Sequence, residues 1–159
     1  MRILGIDPGI GIVGFGCIES NGIKHKMIDA GVIKTKVGDA VERRLVVIYD
    51  ELKELVEELN PDVASIEKIF FSQNVTTGIS VSQARGVILL VLEQAGVPIV
   101  EYTPLQIKSG LVGYGRADKA QVQEMVRVLL NLKKRPSPDD AADALGAALL
   151  HALTPDIRS

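Results

Sequence analysis

Apolar and polar positions along the chain change period several times, and each change predicts an element. From Leu45 to Leu59 the apolar residues Leu45, Ile48, Tyr49, Leu52, Leu55, Val56 and Leu59 recur three and four apart, which is the pattern of an amphipathic helix. Asp39 with Glu42 offers a capping box ahead of it. Upstream, Arg2–Ile6, Ile12–Glu19 and Ile23–Thr35 read as three strands, the last two joined at Asn21-Gly22, a strong hairpin signal. Three consecutive strands predict an antiparallel meander. Asn60-Pro61-Asp62 stops the helix, and Val63–Ile69, VASIEKI, reads as a strand apolar on both faces, as parallel strands are.

A long apolar helix starts at Thr76 or Thr77 and runs to Gln94, with Gly96 as its stop. Val97–Tyr102 is the fifth strand, and Pro104–Val112 a short helix before the loop Gly113-Tyr114-Gly115. Asp118 with Gln121 caps a helix through Leu132, and a final helix runs from about Pro138 to Leu153. The order βββαβαβααα predicts an α/β fold, a mixed sheet covered by helices on both faces. At 159 residues the chain reads as one domain, 1–159, large enough to fold without disulfides.

The segment GIDPGIGIVGFG, Gly5 to Gly16, contains Gly9-x-Gly11-x-x-Gly14, the spacing of a dinucleotide-binding fingerprint. That fingerprint needs a helix to follow, whose N-terminal N–H groups receive the pyrophosphate. IVGFGCIE follows instead, rich in β-branched and aromatic residues, so the glycines belong to a β-hairpin with Asp7 at its entrance.

Composition is that of a globular protein, 47% hydrophobic and 24% charged. The one cysteine, Cys17, lies in an apolar strand and reads as a buried thiol in a reducing compartment. The longest apolar run, Val87–Leu92, falls far short of the ~20 residues of a membrane span, and the first residues do not resemble a signal peptide. The expectation is a cytoplasmic protein with no membrane association. Net charge is −2, but nine acids face three bases from Asp39 to Glu67, and nine bases face four acids from Lys68 to Arg135. A polyanion suits the second region; merely solvated faces would explain the same asymmetry.

Four acids need explaining. Asp7 ends an apolar strand before Pro8-Gly9, and Glu67 sits inside VASIEKI, where an unpaired carboxylate costs several kcal/mol. Asp140 and Asp143 lie three apart near the start of the last helix, sharing a face beside the apolar stripe Leu145, Ala148, Leu149 and Ala152. Ordinary roles compete for three of them: Asp140, with Asp139, as cap residues after Ser137; Asp7 as a turn former; Glu67 as partner of a lysine or arginine. Asp143 lies beyond the cap. If all four meet, each pair at 4 Å repels by roughly 4 kcal/mol at an effective dielectric of ~20, and the cluster must protonate or bind cations. Hard oxygen donors without histidine or cysteine select two Mg²⁺ ions, or Mn²⁺ in their place, the machinery of in-line phosphoryl displacement.

GIDPG at Gly5–Gly9, SIEKIFFSQN at Ser65–Asn74, SQARG at Ser82–Gly86 and DDAADALGAALLH at Asp139–His151 together resemble the RuvC family of Holliday junction resolvases, within the RNase H-like nuclease superfamily. The similarity runs in order over nearly the entire chain. It implies an RNase H-like fold with a five-stranded mixed sheet, three strands antiparallel and the rest parallel. By the same resemblance Asp7, Glu67, Asp140 and Asp143 match catalytic metal-binding acids, and Asp139 does not match. The implied activity is an Mg²⁺-dependent endonuclease, acting as a homodimer, that cuts two strands of like polarity in four-way junction DNA during recombination and repair. A branch-migration motor is an implied further partner. Resemblance also picks Phe70, next to Phe71, as the aromatic that stacks on a base, and Lys108 and Lys119 as phosphate contacts. Part of the apolar helix from Thr76 to Gln94 is then the two-fold dimer surface; packing wholly inside the monomer is the rival reading. Lys133-Lys134-Arg135 is another phosphate candidate, and His25 and His151 stand isolated with no role assigned.

Two other classes compete. The actin and sugar-kinase superfamily opens with a similar Asp-x-Gly hairpin but repeats the fold twice, and this chain has one copy. A non-catalytic junction-binding module would differ from the nuclease in lacking metal-dependent nicking.

Overall fold

The structure, a computed structural model, describes residues 1–68 and 75–155. Strands β1 (Arg2–Asp7), β2 (Ile12–Ser20), β3 (His25–Lys34), β4 (Val63–Glu67) and β5 (Ile99–Tyr102) form one five-stranded sheet in the order β3-β2-β1-β4-β5. The first three strands pair antiparallel, while β4 and β5 continue the sheet parallel to β1. The mixed sheet read from the sequence is therefore present, with the meander ahead of the parallel strands. Its hairpin closes at Asn21, whose N–H donates to the Lys24 carbonyl at 3.2 Å, with Gly22 at φ +89°.

Helices α1 (Val41–Leu59) and α2 (Val75–Gln94) cover one face of the sheet, packing on Leu4, Ile6, Val13, Phe15 and Ile66. Helices α3 (Pro104–Val112), α4 (Lys119–Leu129) and α5 (Asp139–Leu153) cover the other, around Ile3, Ile18 and Val63. The alternation of a strand's side chains makes this division. On β1, Leu4 and Ile6 point to the first layer, which leaves Ile3, Gly5 and Asp7 to the second.

Several boundaries move. β3 starts at His25 rather than Ile23, β5 at Ile99 rather than Val97, and α4 ends at Leu129 rather than Leu132. β4 ends at Glu67; Ile69 lies outside the described residues. The box predicted from Asp39 and Glu42 does not form: α1 starts after Ala40, with no side-chain cap bond. The boxes of Thr103 with Gln106 and Asp118 with Gln121 do form. The acids Asp50, Glu51, Glu54, Glu57 and Glu58 of α1 are all solvent-exposed, as its pattern predicts.

Helix α5 positions the site, because its successive turns rest on successive strands. Asp140 lies over Gly14 of β2, Ala144 over Gly5 of β1, Ala147 against Ser65 of β4, and His151 against Tyr102 of β5. A helical turn advances about 5.4 Å and neighbouring strands lie about 4.8 Å apart, so the helix crosses roughly one strand per turn. Contact this close needs small residues. A Cβ on Gly14 would fall 2.0 Å from the Asp140 carbonyl oxygen, and one on Gly16 would fall 2.6 Å from Leu145 Cγ. The glycines that imitate a nucleotide fingerprint thus include the seat of a helix.

Candidate active site

Asp7 and Glu67 are the last residues of the parallel neighbours β1 and β4, each two positions beyond a residue facing α5: Gly5 and Ser65, which pair in register. Both carboxylates therefore emerge on the α5 side at the carboxyl ends of parallel strands, where open α/β sheets bind ligands. On β2, Asp7 pairs with Gly14, and Gly14 carries the Asp140 turn of α5. That contact delivers the other two acids. Asp7, Asp140 and Asp143 each offer an oxygen within 4.8 Å of the others, and a hydrogen bond joins the Asp7 and Glu67 carboxyls. Glu67 enters the cluster through Asp7 rather than as a member of the tight triad.

Two of the rival roles find no support in the described residues. α5 follows Pro138 with no side-chain cap bond, so Asp140 is not spent on Ser137's box. Glu67 has lysines in its field but no ion pair with them.

Burial and like charge dominate the electrostatics. Burial first, and then the charge of Glu67, its hydrogen bond and the charges of Asp143 and Asp140, push the Asp7 carboxyl up to about 9. Burial also raises Glu67 and Asp143 above the usual carboxylate range, against the pull of Lys119 on both. A set of oxygen donors so reluctant to carry its full negative charge fits a hard divalent cation, since the ion supplies the charge the protein withholds.

Lys108 and Lys119 stand at the same place. With Glu67, Asp143, Asp118 and Pro104 they line an open groove of about 280 Å³ between α3, α4 and the strand ends. Lys119 Nζ lies 3.3 Å from Asp139 Oδ2 and 3.5 Å from Asp143 Oδ2, and Gln123 Nε2 donates to Asp139 Oδ1 at 3.0 Å. A larger hollow of about 630 Å³, lined by residues including Lys53, Asn60, Gln94 and Gly96, lies at the ends of α1 and α2 and includes none of these acids.

The remaining predicted residues fall as follows. Phe70 and Phe71 lie outside the described residues. Cys17 is fully buried and burial pushes its thiol up to about 11, consistent with an inert core residue. His151 is not isolated: its Nδ1 lies 2.8 Å from the Tyr102 hydroxyl, and His25 Nδ1 lies 2.9 Å from Ser20 Oγ. Of the basic run, Arg135 pairs with Glu124 at 3.0 Å, while Lys133 and Lys134 are exposed. On α2, Ala84, Ile88, Val91 and Leu92 are buried in the core, and Ile79 and Leu90 are half-exposed. Sequence reasoning missed Asp139 as the shared partner of Lys119 and Gln123, and the Arg85–Glu101 ion pair that ties α2 to β5. The spacing of Lys119 and Gln123, one helical turn apart, was the available signal for the first.

The family model described as "Crossover junction endodeoxyribonuclease RuvC" matches residues 3–151. The protein of that name from Brevibacillus brevis is 53% identical over 152 residues, covering 96% of this chain and 92% of that protein. The structure of Thermus thermophilus RuvC in complex with Holliday junction substrate superimposes with a TM-score of 0.91 at 35% identity, covering 96% of this chain and 93% of the other. The yeast mitochondrial Holliday junction resolvase shares the fold at a TM-score of 0.68 and 15% identity, covering 95% of this chain and 78% of the other.

Proposed function

The chain belongs to the RuvC family of crossover junction endodeoxyribonucleases, and from that we propose that it resolves four-way DNA junctions in recombination and repair at the acid cluster where β1, β4 and α5 meet. The observation that carries the reading is the convergence of Asp7, Asp140 and Asp143 within 4.8 Å, with Glu67 bonded to Asp7.

Asp7, Glu67, Asp140 and Asp143 are the residues that hold two Mg²⁺ ions, or Mn²⁺ in their place. Bound there, the ions supply Lewis acidity to the attacking water and to the leaving oxygen of in-line phosphodiester hydrolysis. Asp7 is hydrogen-bonded to Glu67 and lies within 4.8 Å of Asp140 and Asp143, so its carboxylate would take part in holding both ions. Lys108 and Lys119 border the acids in one groove and hold the phosphate ahead of the cut. Phe70 stacks on an unpaired base near the crossover, a contact worth ~1 to 3 kcal/mol.

Two such sites facing one junction make paired, symmetric nicks in strands of like polarity, leaving nicked duplexes for ligase. This requires a homodimer, and the half-exposed Ile79 and Leu90 on α2 support that helix as the contact. The whole chain serves as one nuclease domain in the cytoplasm, alongside a branch-migration motor on the same junction. Among the described residues no helix is long and apolar enough to cross a membrane.

The test is to incubate the pure protein with a mobile four-way DNA and Mg²⁺ and map the incisions. Paired ligatable nicks at symmetric positions are expected. Intact junctions, or nicks that ignore the branch point, sink the reading.

A further inference from the structure

Asp139 matches no family acid in the sequence and is not part of the cluster that can hold a metal ion. Its side chain is 65% exposed, yet it is not idle. It begins α5 one turn before Asp143, so the two carboxylates share a face. Across from them, Lys119 and Gln123 are one turn apart on α4. The result is a chain of contacts: Gln123 Nε2 fixes Asp139 Oδ1 at 3.0 Å, and Lys119 Nζ lies between Asp139 Oδ2 at 3.3 Å and Asp143 Oδ2 at 3.5 Å.

We infer that Asp139 is a positioning residue that receives Lys119 when a divalent cation takes Asp143. The inference rests on reading the acids as a metal site. A cation on the Asp143 carboxylate and an ammonium 3.5 Å from its Oδ2 repel each other, so the lysine must withdraw. Asp139 is close enough to take the ammonium by a small rotation of its flexible four-carbon stem, and Gln123 already holds that carboxylate in place. Lys119 then stays at the groove it shares with Lys108 and Glu67 instead of returning to bulk solvent. Without Asp139, the lysine's remaining carboxylate partner is the one the metal needs. Asp139 thereby converts a competitor of the metal into a neighbour of the phosphate.

Mn²⁺ binding to the full chain without DNA, followed by the loss of the free-ion paramagnetic resonance signal, tests this in five proteins: wild type, Asp139→Asn, Asp139→Glu, Lys119→Ala and the Asp139→Asn, Lys119→Ala double variant. Asp139→Asn weakens binding by about two- to fivefold, the range of an exposed ion pair, and Asp139→Glu restores it. Lys119→Ala tightens binding. In the Lys119→Ala background the Asp139→Asn change falls to less than about 1.5-fold, since coupling disappears with the partner. Equal losses in both backgrounds, or no loss with Lys119 present, overturn the inference while leaving the metal site standing. Failure of the wild type to bind Mn²⁺ overturns the metal site and this role together.

Discussion

Gly5 lies so close beneath Ala144 that a Cβ on it would sit 1.8 Å from the Ala144 carbonyl oxygen and 3.0 Å from the Ala148 nitrogen. The contact sets the height of α5 above β1, and with it the position of the first turn that carries Asp140 and Asp143. Ser65 locks the same helix from β4, its Oγ donating to the Ala147 carbonyl at 2.7 Å from a fully buried position. The geometry of the acid cluster and core packing are therefore one interaction.

Gly5→Ala is expected to lower stability by about 3 kcal/mol or more, the upper range of overpacking, because both sides of the contact are backbone. Urea unfolding measures this. Gly14→Ala, whose added Cβ would meet the Asp140 carbonyl at 2.0 Å, should additionally weaken Mn²⁺ binding, since it displaces the turn that carries a ligand. Native affinity in a folded Gly14→Ala protein would separate the acids from the helix seat.

Asp7→Asn is expected to lower junction cleavage at least ~10³-fold, the scale on which removing a group that acts in the transition state is felt, while junction binding persists. Gel-shift titration beside a cleavage time course distinguishes the two. Normal turnover would falsify the assignment of Asp7.

The Asp7 carboxyl gives a pH signature. Its folded value of about 9 lies above the ordinary carboxylate value of 3.8, so between those limits the metal-free native state retains a proton that the unfolded chain has lost. Its contribution is most favourable at the acid end and declines as pH rises toward 9. Relative to Asp7→Asn, which carries no such proton, the wild type in chelator should lose thermal stability progressively from pH 5 to pH 9. The difference at pH 8 is expected to reach at least about 1 kcal/mol and to shrink when Mn²⁺ is added. A pH-independent difference would mean that burial does not hold the proton on Asp7.

Lys108→Ala should weaken junction binding and reduce the slope of log affinity against log salt by about 1, as loss of one phosphate contact does. Binding titrations from low to moderate salt measure it. An unchanged slope with reduced cleavage would move Lys108 from phosphate holding to positioning Glu67, whose charge it already faces.

Much of this was legible in the chain. The order of strands and helices follows from local periodicity, and the Asn21-Gly22 turn, the Asp118–Gln121 box and the stop at Asn60 follow from local chemistry. Glu67 inside an apolar strand and paired Asp140 and Asp143 stood out because a carboxylate in apolar surroundings must be compensated. Short-range rules failed where they had rivals: Asp39 with Glu42 has the spacing of a cap, yet α1 begins after Ala40. Asp139 looked like a bystander because its partners are on another helix.

The sequence by itself determined which segments form strands and helices and which acids are out of place, because periodicity and turn chemistry act over a few neighbouring residues. Only the tertiary structure decided that Asp7, Asp140 and Asp143 share one point, with Glu67 joined to them through Asp7. That depends on pairing Asp7 with Gly14 and Gly5 with Ser65, and on laying α5 across the glycines at van der Waals distance. Helix height is set by packing between segments more than a hundred residues apart, Gly5 with Ala144 and Gly14 with Asp140, the β1–β4 register is set by pairing across the intervening α1, and no local pattern encodes either.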